Sequence, residues 1–378
     1  MRMRVLIAAD KFKGSLTSLE VCNAIAEGLK MASGHVRTEI LPLSDGGDGL
    51  IAAIAYYTGA CQLTSSVSDP LFRQVNAPFL ISEDSGTVFI EMAQASGLNL
   101  LKPEEYNCAL TSTYGTGELI KKALEIGAQE IVLGIGGSAT NDCGAGMAAA
   151  LGYRFFNKAG NEINPTGGNL IEIARIDSSS KVDFSGIRIR IACDVTNVLT
   201  GSEGASKVYA RQKGANQQIV EELETGMLHF AGIVKRDLGI DILTIKGGGA
   251  AGGTGAGAVA FLNGELVSGT ELIFGYSKFE EKLKEADLVI TGEGKIDRQT
   301  LHGKLIHGIT QLSTKYQKPV IAICGTLDLN SQEIEQLKLR ATFSILNRPM
   351  LLEEASQQTS ELLQETAANL GRLMLLRI

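Results

Sequence analysis

The sequence predicts an α/β protein of two domains, and three observations support this fold class. The chain has 378 residues, which is more than a single domain commonly holds. Apolar runs suited to buried strands alternate with amphipathic segments suited to helices, the pattern of a parallel sheet with right-handed crossovers. The 44 glycines cluster where predicted strands pass into helices. Because the usual glycine content is only about 7 %, this excess points to a functional role for these junctions.

The N-terminal segment carries the strand–helix pattern. Residues 4–9 (RVLIAA) form an apolar run typical of a strand that is buried on both faces. Thr17 and Glu20 have the spacing of a capping box, which predicts the start of a helix. One face of this helix carries apolar residues four positions apart, namely Val21, Ile25 and Leu29. A strand over 36–41 and a helix from Leu50 to Tyr57 are expected to follow.

The C-terminal third repeats this pattern. Ser277 and Glu280 again have capping-box spacing, which predicts a helix from Ser277 to Ala286. The next apolar run, 286–291, predicts a strand. The remaining predicted elements are a helix between residues 304 and 319, a strand over 319–324, a helix from Ser331, a strand over 342–346 and a last helix from about Leu351.

The order of these elements favours one discontinuous domain with a second domain inserted into it. Each end of the chain alone has too few strands for a stable open sheet, so we predict that residues 1–62 and 285–378 together form one parallel-sheet domain. Residues 63–284 are predicted to form an inserted α/β domain, with a hairpin over 153–164. Two sequential domains divided near residue 180 are the alternative. We expect the functional site in the cleft between the two domains.

Composition and charge argue against several classes of function. The formal net charge is −7 and no Lys/Arg-rich run occurs, so nucleic-acid binding is not expected. The six cysteines are scattered without a C-x-x-C pair, as is typical of free thiols in a reducing compartment. No signal-peptide core and no membrane-length apolar run is seen. We therefore expect a soluble cytoplasmic protein without a membrane or nucleic-acid partner, and the sequence leaves monomer and homodimer open.

Several common catalytic motifs do not occur in the sequence. It contains no G-x-x-x-x-G-K-[ST] loop, no protein-kinase H-R-D and D-F-G set, no H-E-x-x-H and no G-x-S-x-G. The four histidines show no metal-ligand spacing. A P-loop protein, a protein kinase and a zincin are therefore not expected.

The segment GIGGSATND, residues 134–142, is the first candidate for ligand binding. A helix start offers orphan backbone N–H groups and a positive dipole end. Glycines at 136 and 137 allow a phosphate oxygen to approach those groups. Ser138 and Asn141 can add side-chain donors, and Asp142 can either hold a metal or cap the helix. A tight turn with close helix packing is the alternative explanation of the glycines.

A second glycine-rich segment, 246–261, contains the spacing G-x-G-x-x-G at Gly247, Gly249 and Gly252. After a strand over 241–245 this spacing fits a dinucleotide-binding turn, with Glu265 or Glu271 on the ribose. Such a turn would make the protein an NAD(P)-dependent oxidoreductase. A phosphate cradle and plain helix packing are the two other interpretations, and the sequence leaves all three open.

Charged residues at predicted strand ends are the remaining candidates. Asp194 follows the apolar strand IRIRIAC and suits a metal ligand or a base, although it could simply cap the turn. Arg211 and Lys213 lie near a turn glycine and could clamp a carboxylate, or could be solvated. The loops at 10–15, 44–49, 291–297 and 325–326 leave strand ends, where ligands of open parallel sheets bind. The run from 292 to 304 is especially rich in charge: Glu293, Lys295, Asp297, Arg298 and Lys304.

Taken in order, these motifs resemble the type 1 glycerate kinases. The segments that carry the resemblance are DKFKGSLTS, PLSDGGDG, GGSATNDCGAG, ACDVTNVL, RQKGA and ADLVITGEGKIDRQTLHGK, and they extend over nearly the whole chain. The resemblance implies ATP-dependent phosphorylation of D-glycerate with Mg²⁺, with the 2-hydroxyl as the expected acceptor. It also implies a flavodoxin-like, Rossmann-like domain built from the two ends of the chain, with an inserted α/β domain. Another small hydroxy acid as the acceptor is an alternative.

Phosphoryl transfer requires positioning and charge neutralisation, and the motifs supply candidates for each role. The groups expected to hold ATP are Gly136, Gly137, Ser138, Asn141, Gly249, Gly252, Gly253 and Lys304. The carboxylates expected to bind Mg²⁺ are Asp194, Asp45 and Glu293. The residues expected to contact glycerate are Arg211, Lys213, Asp45, Gly46 and Gly47. The residues expected to act in catalysis are Asp194, Lys13, Asp297, Lys295 and Asp10, with Asp297 and Asp10 both open as the base.

Overall fold

The computed structural model describes residues 3–32, 36–45, 49–82, 86–298, 300–302 and 305–374. The strands are β1 Met3–Ala9, β2 Val36–Ile40, β3 Cys61–Ser68, β4 Gln74–Ile81, β5 Thr87–Glu91, β6 Glu130–Gly134, β7 Arg154–Asn157, β8 Glu162–Ile163, β9 Ile173–Asp177, β10 Arg188–Ala192, β11 Glu265–Val267, β12 Leu288–Ile296, β13 Val320–Leu327 and β14 Ala341–Ser344. The helices are α1 Ser18–Ala32, α2 Leu50–Thr58, α3 Ala93–Ser96, α4 Tyr114–Glu125, α5 Ala145–Ala150, α6 Ala205–Tyr209, α7 Gln217–Leu238, α8 Thr254–Leu262, α9 Gly269–Ser277, α10 Phe279–Glu285, α11 Leu305–Lys315, α12 Ser331–Gln336, α13 Leu352–Gln357 and α14 Thr359–Met374. Within these residues no helix is both long and apolar enough to cross a lipid bilayer.

Contacts within the chain divide it into two compact units. The first unit comprises Met1–Asp45, Ala52–Tyr57 and Thr270–Ile378, and the second comprises Gly46–Ile51 and Thr58–Gly269. Mixed α/β structure with parallel strands is present in both units, as the sequence predicts.

The borders of these units differ from those predicted at 62/63 and 284/285. Gly46–Ile51 and the residues from Thr58 onward group with the second unit, whereas α9 from Thr270 and all of α10 group with the first unit. Two contacts within that unit tie them there. Lys282 of α10 forms an ion pair of 2.5 Å with Glu39 of β2. A Cβ at Gly308 of α11 would lie 2.7 Å from the side chain of Thr270, at the start of α9.

The first unit contains a five-stranded sheet in the order β14-β13-β12-β1-β2, and all four neighbouring pairs are parallel. Counted within the unit, this is the order 2-1-3-4-5 of flavodoxin-like folds. The order reverses between β1 and β12, which is therefore the topological switch point at which such sheets bind ligands.

The elements predicted for the first unit are largely confirmed. The side chains of Val21, Ile25 and Leu29 on α1 are buried in the core of this unit. The capping box is formed, since the Thr17 N–H donates to Glu20 at 2.8 Å and the Glu20 N–H donates to Thr17 Oγ1 at 3.3 Å. Local patterning therefore placed this helix correctly.

The second unit contains a six-stranded sheet in the order β11-β10-β6-β5-β4-β3. The strands β11, β10, β6 and β5 are parallel, whereas β4 and β3 are antiparallel. A separate three-stranded antiparallel sheet has the order β8-β7-β9. Its β7–β8 pair is the hairpin predicted over 153–164.

Two local predictions are wrong. The capping box at Ser277 and Glu280 does not form, because α9 continues through Ser277 and Lys278 adopts the left-handed conformation (φ 51°) before α10 begins. The strand predicted over 241–245 is also wrong, since these residues form a turn and irregular coil. Their apolar residues, such as buried Ile242, pack against the core without joining a sheet.

Candidate active site residues

Acidic side chains gather at the switch point of the first unit. Asp10 follows β1, and its N–H donates to the Gly292 carbonyl at 2.9 Å, which places it beside Glu293 of β12. The Glu293 carboxylate is buried and accepts a hydrogen bond of 2.6 Å from Thr300 Oγ1. Asp45 follows β2, and its charge acts on Asp10. Three of the predicted carboxylates thus share the sheet edge where a ligand is expected.

The environment of Asp10 favours its neutral form. Burial raises the pKa of this carboxyl to about 8, and the charges of Asp45 and then Glu293 add to the effect. The Lys11 N–H, which donates to Asp10 Oδ1 at 2.7 Å, and the Lys11 charge oppose it. A carboxyl with a pKa near the operating pH suits a general acid or base.

Asp10 is expected to make stability depend on pH when no divalent cation is added. The folded protein keeps its Asp10 proton up to about pH 8, whereas an unfolded Asp loses it near pH 4. Because the unfolded state binds fewer protons between these values, the free energy of unfolding falls as pH rises, by up to about 1.4 kcal/mol per pH unit.

Urea unfolding of wild type and Asp10→Asn between pH 4 and pH 9 checks this expectation. Asp10→Asn keeps the oxygen that accepts from Lys11, and it should gain stability over wild type as pH rises. Asp328→Asn, at an exposed position after β13, is the control that should follow wild type. A stability difference between Asp10→Asn and wild type that does not change with pH would contradict the assignment.

The charged run after β12 is internally paired. Lys295 is exposed and lies 3.2 Å from both Asp297 and Asp328. Arg298 pairs with Glu333 at 2.9 Å. Asp297 and Arg298 help to line an open depression of about 640 Å³ beside β12 and β13. Three charged residues of this segment, Lys295, Asp297 and Arg298, therefore form ion pairs within the protein.

The turn after β6 presents free backbone donors. Gly136 is half-buried and Gly137, with a φ of 72°, is exposed. The turn is anchored through the Gly137 carbonyl, which accepts from the Leu98 N–H at 2.9 Å. The N–H groups of Gly136 and Gly137 donate to no other described residue. The structure is therefore compatible with the phosphate-binding role predicted for these two N–H groups.

Lys213 lies beneath this turn, whereas Arg211 does not. The Lys213 ammonium is buried and donates to Ser138 Oγ and to the Thr140 carbonyl, both at 2.7 Å. Burial lowers its pKa to about 8. Arg211 is exposed and contacts Gln217. The predicted Arg211–Lys213 clamp is thus divided between surface and interior, and its role in binding a carboxylate stays a prediction.

Asp142 caps α5. It is buried, and its carboxylate accepts from the Thr113 N–H at 2.7 Å, the Thr113 hydroxyl at 2.8 Å, and the N–H groups of Gly144 and Gly146 at 3.2 Å. Of the two roles considered for Asp142, these contacts support the cap. Asn141 is buried, and its Nδ2 donates a hydrogen bond of 3.1 Å to Ser206 Oγ. Its contact with ATP stays a prediction without support from this geometry.

Close packing explains the glycines of the second glycine-rich segment. A Cβ at Gly249 would lie 2.2 Å from the Val198 carbonyl oxygen, and one at Gly252 would lie 2.0 Å from that of Thr140. Gly253 (φ 88°) also packs on Cys143, although less closely, with 2.9 Å from a Cβ to the Cys143 Cα. All three glycines are buried, so their predicted contact with ATP has no support here.

The dinucleotide-binding turn is wrong as a structural prediction. The fingerprint requires a strand immediately before the glycines, and residues 241–245 do not form one. The alternative function as an NAD(P)-dependent oxidoreductase therefore loses the feature on which it rested.

Asp194 lies at the carboxyl edge of the second unit's sheet. It follows β10, is half-buried, and its Oδ1 accepts a hydrogen bond of 2.7 Å from Ser268 Oγ. Ser268 follows the neighbouring strand β11. Sequence reasoning missed both Ser268 and Thr300, the partner of Glu293, because a serine or threonine next to a short strand carries no distinctive spacing.

The remaining candidates divide into those that the structure describes and those that it does not. Lys13 is exposed in the loop after β1. Gly46, Gly47 and Lys304 lie outside the described residues. Across the described parts of the chain, no three or more His, Cys, Asp or Glu side chains are grouped so as to hold a metal ion. The predicted magnesium ligands and the predicted cleft site therefore stay predictions.

Comparison with known proteins decides the family. The sequence model that describes the glycerate kinase family matches residues 5–375 of this chain. This chain belongs to the glycerate kinase family. The resemblance drawn from the sequence motifs is confirmed.

Glycerate kinase family members of known name align with almost the entire chain. A glycerate kinase of Halalkalibacterium halodurans is 44 % identical over 369 residues, which cover 97 % of each chain. The glycerate 2-kinase of Escherichia coli K12 is 42 % identical over 360 residues, 93 % of each chain. A crystal structure described as a glycerate kinase 2 of Salmonella typhimurium LT2 superposes with a TM-score of 0.83 at 42 % identity, covering 99 % of this chain and 98 % of that one.

Proposed function

We propose that this protein transfers the γ-phosphoryl group of ATP to the 2-hydroxyl of D-glycerate. The observation that carries the proposal is membership of the glycerate kinase family over residues 5–375. The glycerate 2-kinase of Escherichia coli, at 42 % identity, supports the 2-position.

The turn at Gly136–Ser138 is our candidate for binding phosphate oxygens of ATP. Gly136 and Gly137 offer N–H groups that donate to no other described residue. The buried Lys213 ammonium places a positive charge behind them, bonded to Ser138. Backbone donors backed by a cation stabilise anionic phosphate without having to reorganise during the reaction.

The residues fit Mg²⁺ by their donor chemistry. Carboxylate oxygens are its preferred protein ligands, and Mg²⁺ commonly uses only one or two of them together with substrate phosphates and water. Asp45 and Glu293 add unfavourable charge to buried Asp10, an arrangement that a cation would relieve. We propose Asp45 and Glu293 of the first unit as candidate ligands, and Asp194 of the second unit as a separate candidate. When bound, Mg²⁺ would neutralise charge on the transferring phosphoryl group.

Asp10 is our candidate for the base that accepts the proton of the glycerate hydroxyl. Its pKa of about 8 leaves a minor ionised fraction near neutral pH, and this ionised form is the one that accepts the proton. Asp297, the other candidate, is half-buried and lies 3.2 Å from the Lys295 ammonium. Lys13 and Lys295 remain candidates for offsetting charge on the phosphoryl group.

Coupled ADP formation tests the function directly. Purified protein with ATP and Mg²⁺ is given D-glycerate, glycolate, lactate and small sugars in turn, and ³¹P NMR identifies the product. We expect D-glycerate to give the highest kcat/KM and 2-phosphoglycerate to be the product. A higher kcat/KM with another hydroxy acid would replace the substrate assignment, 3-phosphoglycerate would replace the 2-position, and the absence of ADP with every acceptor would refute the proposal.

A further inference from the structure

Lys213 is a buried cation that forms no ion pair with a carboxylate of the described residues. Its side chain belongs to a residue that is 3 % exposed. Among the described residues no Asp or Glu lies within 4 Å of its Nζ, and its hydrogen bonds go to the Ser138 hydroxyl and the Thr140 carbonyl. The titratable groups that act on it are Cys108 and Asp142. The Asp142 carboxylate already accepts hydrogen bonds from the N–H groups of Thr113, before α4, and Gly146, in α5.

Burying an ammonium group destabilises the folded protein, so a buried lysine suggests a functional role. Taking an ion out of water costs several kcal/mol unless paired charges and hydrogen bonds offset it. An ammonium has three donors, and Lys213 uses two of them on neutral oxygens. The hydrogen bonds to the hydroxyl and the carbonyl offset only part of the hydration free energy that the ammonium loses on burial. An anion bound nearby would supply the missing opposite charge.

Both acceptors of Lys213 belong to the segment that presents free N–H groups. Ser138 directly follows Gly137, and Thr140 lies two residues further on. The N–H groups of Gly136 and Gly137 donate to no other described residue. The ammonium therefore holds this segment from the interior, while Gly136 is half-buried and Gly137 is exposed. It also places its charge close to any anion that those N–H groups accept.

We propose that Lys213 is a positioning residue for phosphoryl transfer, which fixes the turn at Gly136–Ser138 from beneath and makes this turn selective for a phosphate group of ATP. The inference rests on the proposed function and deepens it. It differs from a direct clamp on the glycerate carboxylate, because the Lys213 ammonium is already bonded within the protein. Its effect on the ligand passes through the turn and through its charge.

Lys213→Met is the direct test, with Lys207→Met as the matched control. Lys207 is exposed on the neighbouring helix α6, so its loss should change nothing. Loss of the Lys213 charge should raise KM for ATP by about 10- to 100-fold, the scale of a charged hydrogen bond, and leave KM for D-glycerate within about twofold. A rise in KM for D-glycerate alone would assign the turn to the carboxylate and overturn the phosphate assignment.

The pH profile separates this role from a structural one. Lys213 is charged below its pKa of about 8, so wild-type kcat/KM for ATP should fall as pH rises above about 8. Lys213→Met should lose this alkaline limb, and Lys213→Arg, which stays charged, should keep activity to higher pH. If Lys213→Met keeps both the wild-type KM for ATP and the alkaline limb, the proposal is wrong.

Ser138→Ala provides the test if Lys213→Met does not fold. Removing the Ser138 hydroxyl takes away one hydrogen bond to the charged ammonium, so the alkaline limb should move to lower pH. An unmoved limb would count against the proposal.

Calorimetric titration with ADP keeps this result distinct from failure of the proposed function. If wild type phosphorylates no acceptor, the proposed function fails, but weaker ADP binding by Lys213→Met than by wild type would still support the role of Lys213. Equal ADP affinity would refute it.

Discussion

Asp194→Asn is expected to lower kcat by about 100-fold or more while leaving the melting temperature nearly unchanged. Asparagine keeps the oxygen that accepts the Ser268 hydroxyl, which lies 2.7 Å from Asp194 Oδ1, so local packing is preserved. The substitution removes the negative charge and replaces the other carboxylate oxygen by an amide NH2 group. Loss of one preorganised electrostatic group commonly costs about 100- to 1000-fold in kcat. Steady-state ADP formation at saturating ATP and D-glycerate measures the effect, and calorimetry measures the melting temperature.

Asp183→Asn is the control for this result. Asp183 is an exposed carboxylate of the same unit, bonded to Ser185 in its own turn, and its replacement should leave kcat unchanged. Near-normal turnover of Asp194→Asn would show that Asp194 has no role in catalysis. A large drop in melting temperature would instead show that its charge serves the fold.

Gly252→Ala is expected to destabilise the protein by about 3 kcal/mol or more. A Cβ at this position would lie 2.0 Å from the Thr140 carbonyl oxygen, and the φ of 66° is one that side chains other than glycine rarely adopt. Overpacking costs about 1–3 kcal/mol, and left-handed backbone adds about 1–2 kcal/mol. Urea unfolding monitored by circular dichroism measures the loss.

Gly232→Ala is the matched control, because it makes the same chemical change where there is room. Gly232 is exposed within α7, and a Cβ there would meet no atom within 4 Å. Alanine should stabilise this helix by up to about 1 kcal/mol. If Gly252→Ala keeps wild-type stability but raises KM for ATP, Gly252 lines a phosphate site and the packing explanation is wrong.

Local features of the sequence were sufficient for much of the fold. The apolar run before Asp10, the Thr17–Glu20 capping box and the buried face of α1 each depend on residues a few positions apart, and all are as predicted. Where a neighbouring element intervened, local reasoning failed. At Ser277 the preceding helix α9 extended through the expected cap, since helix ends are settled by the surrounding packing as well as by capping residues.

The motifs by themselves also identified the family, because six separated segments in a fixed order rarely coincide by chance. The motifs did not show which role each individual residue has. Lys213 and Arg211 are two positions apart, yet one is buried under a turn and the other is exposed. Glycines at 137 and 252 look alike in sequence, but the first is exposed and the second is held against a carbonyl oxygen.

What the sequence determined, then, is the periodic and local part: strands, helix starts, the α/β class and membership of the glycerate kinase family. What only the tertiary structure decided is which distant groups meet, such as Asp10 with Glu293, and Asp194 with Ser268. The physical reason is that periodicity reports which face of an element is buried. The order of strands in a sheet decides which carboxyl ends lie side by side, and that order depends on contacts hundreds of residues apart.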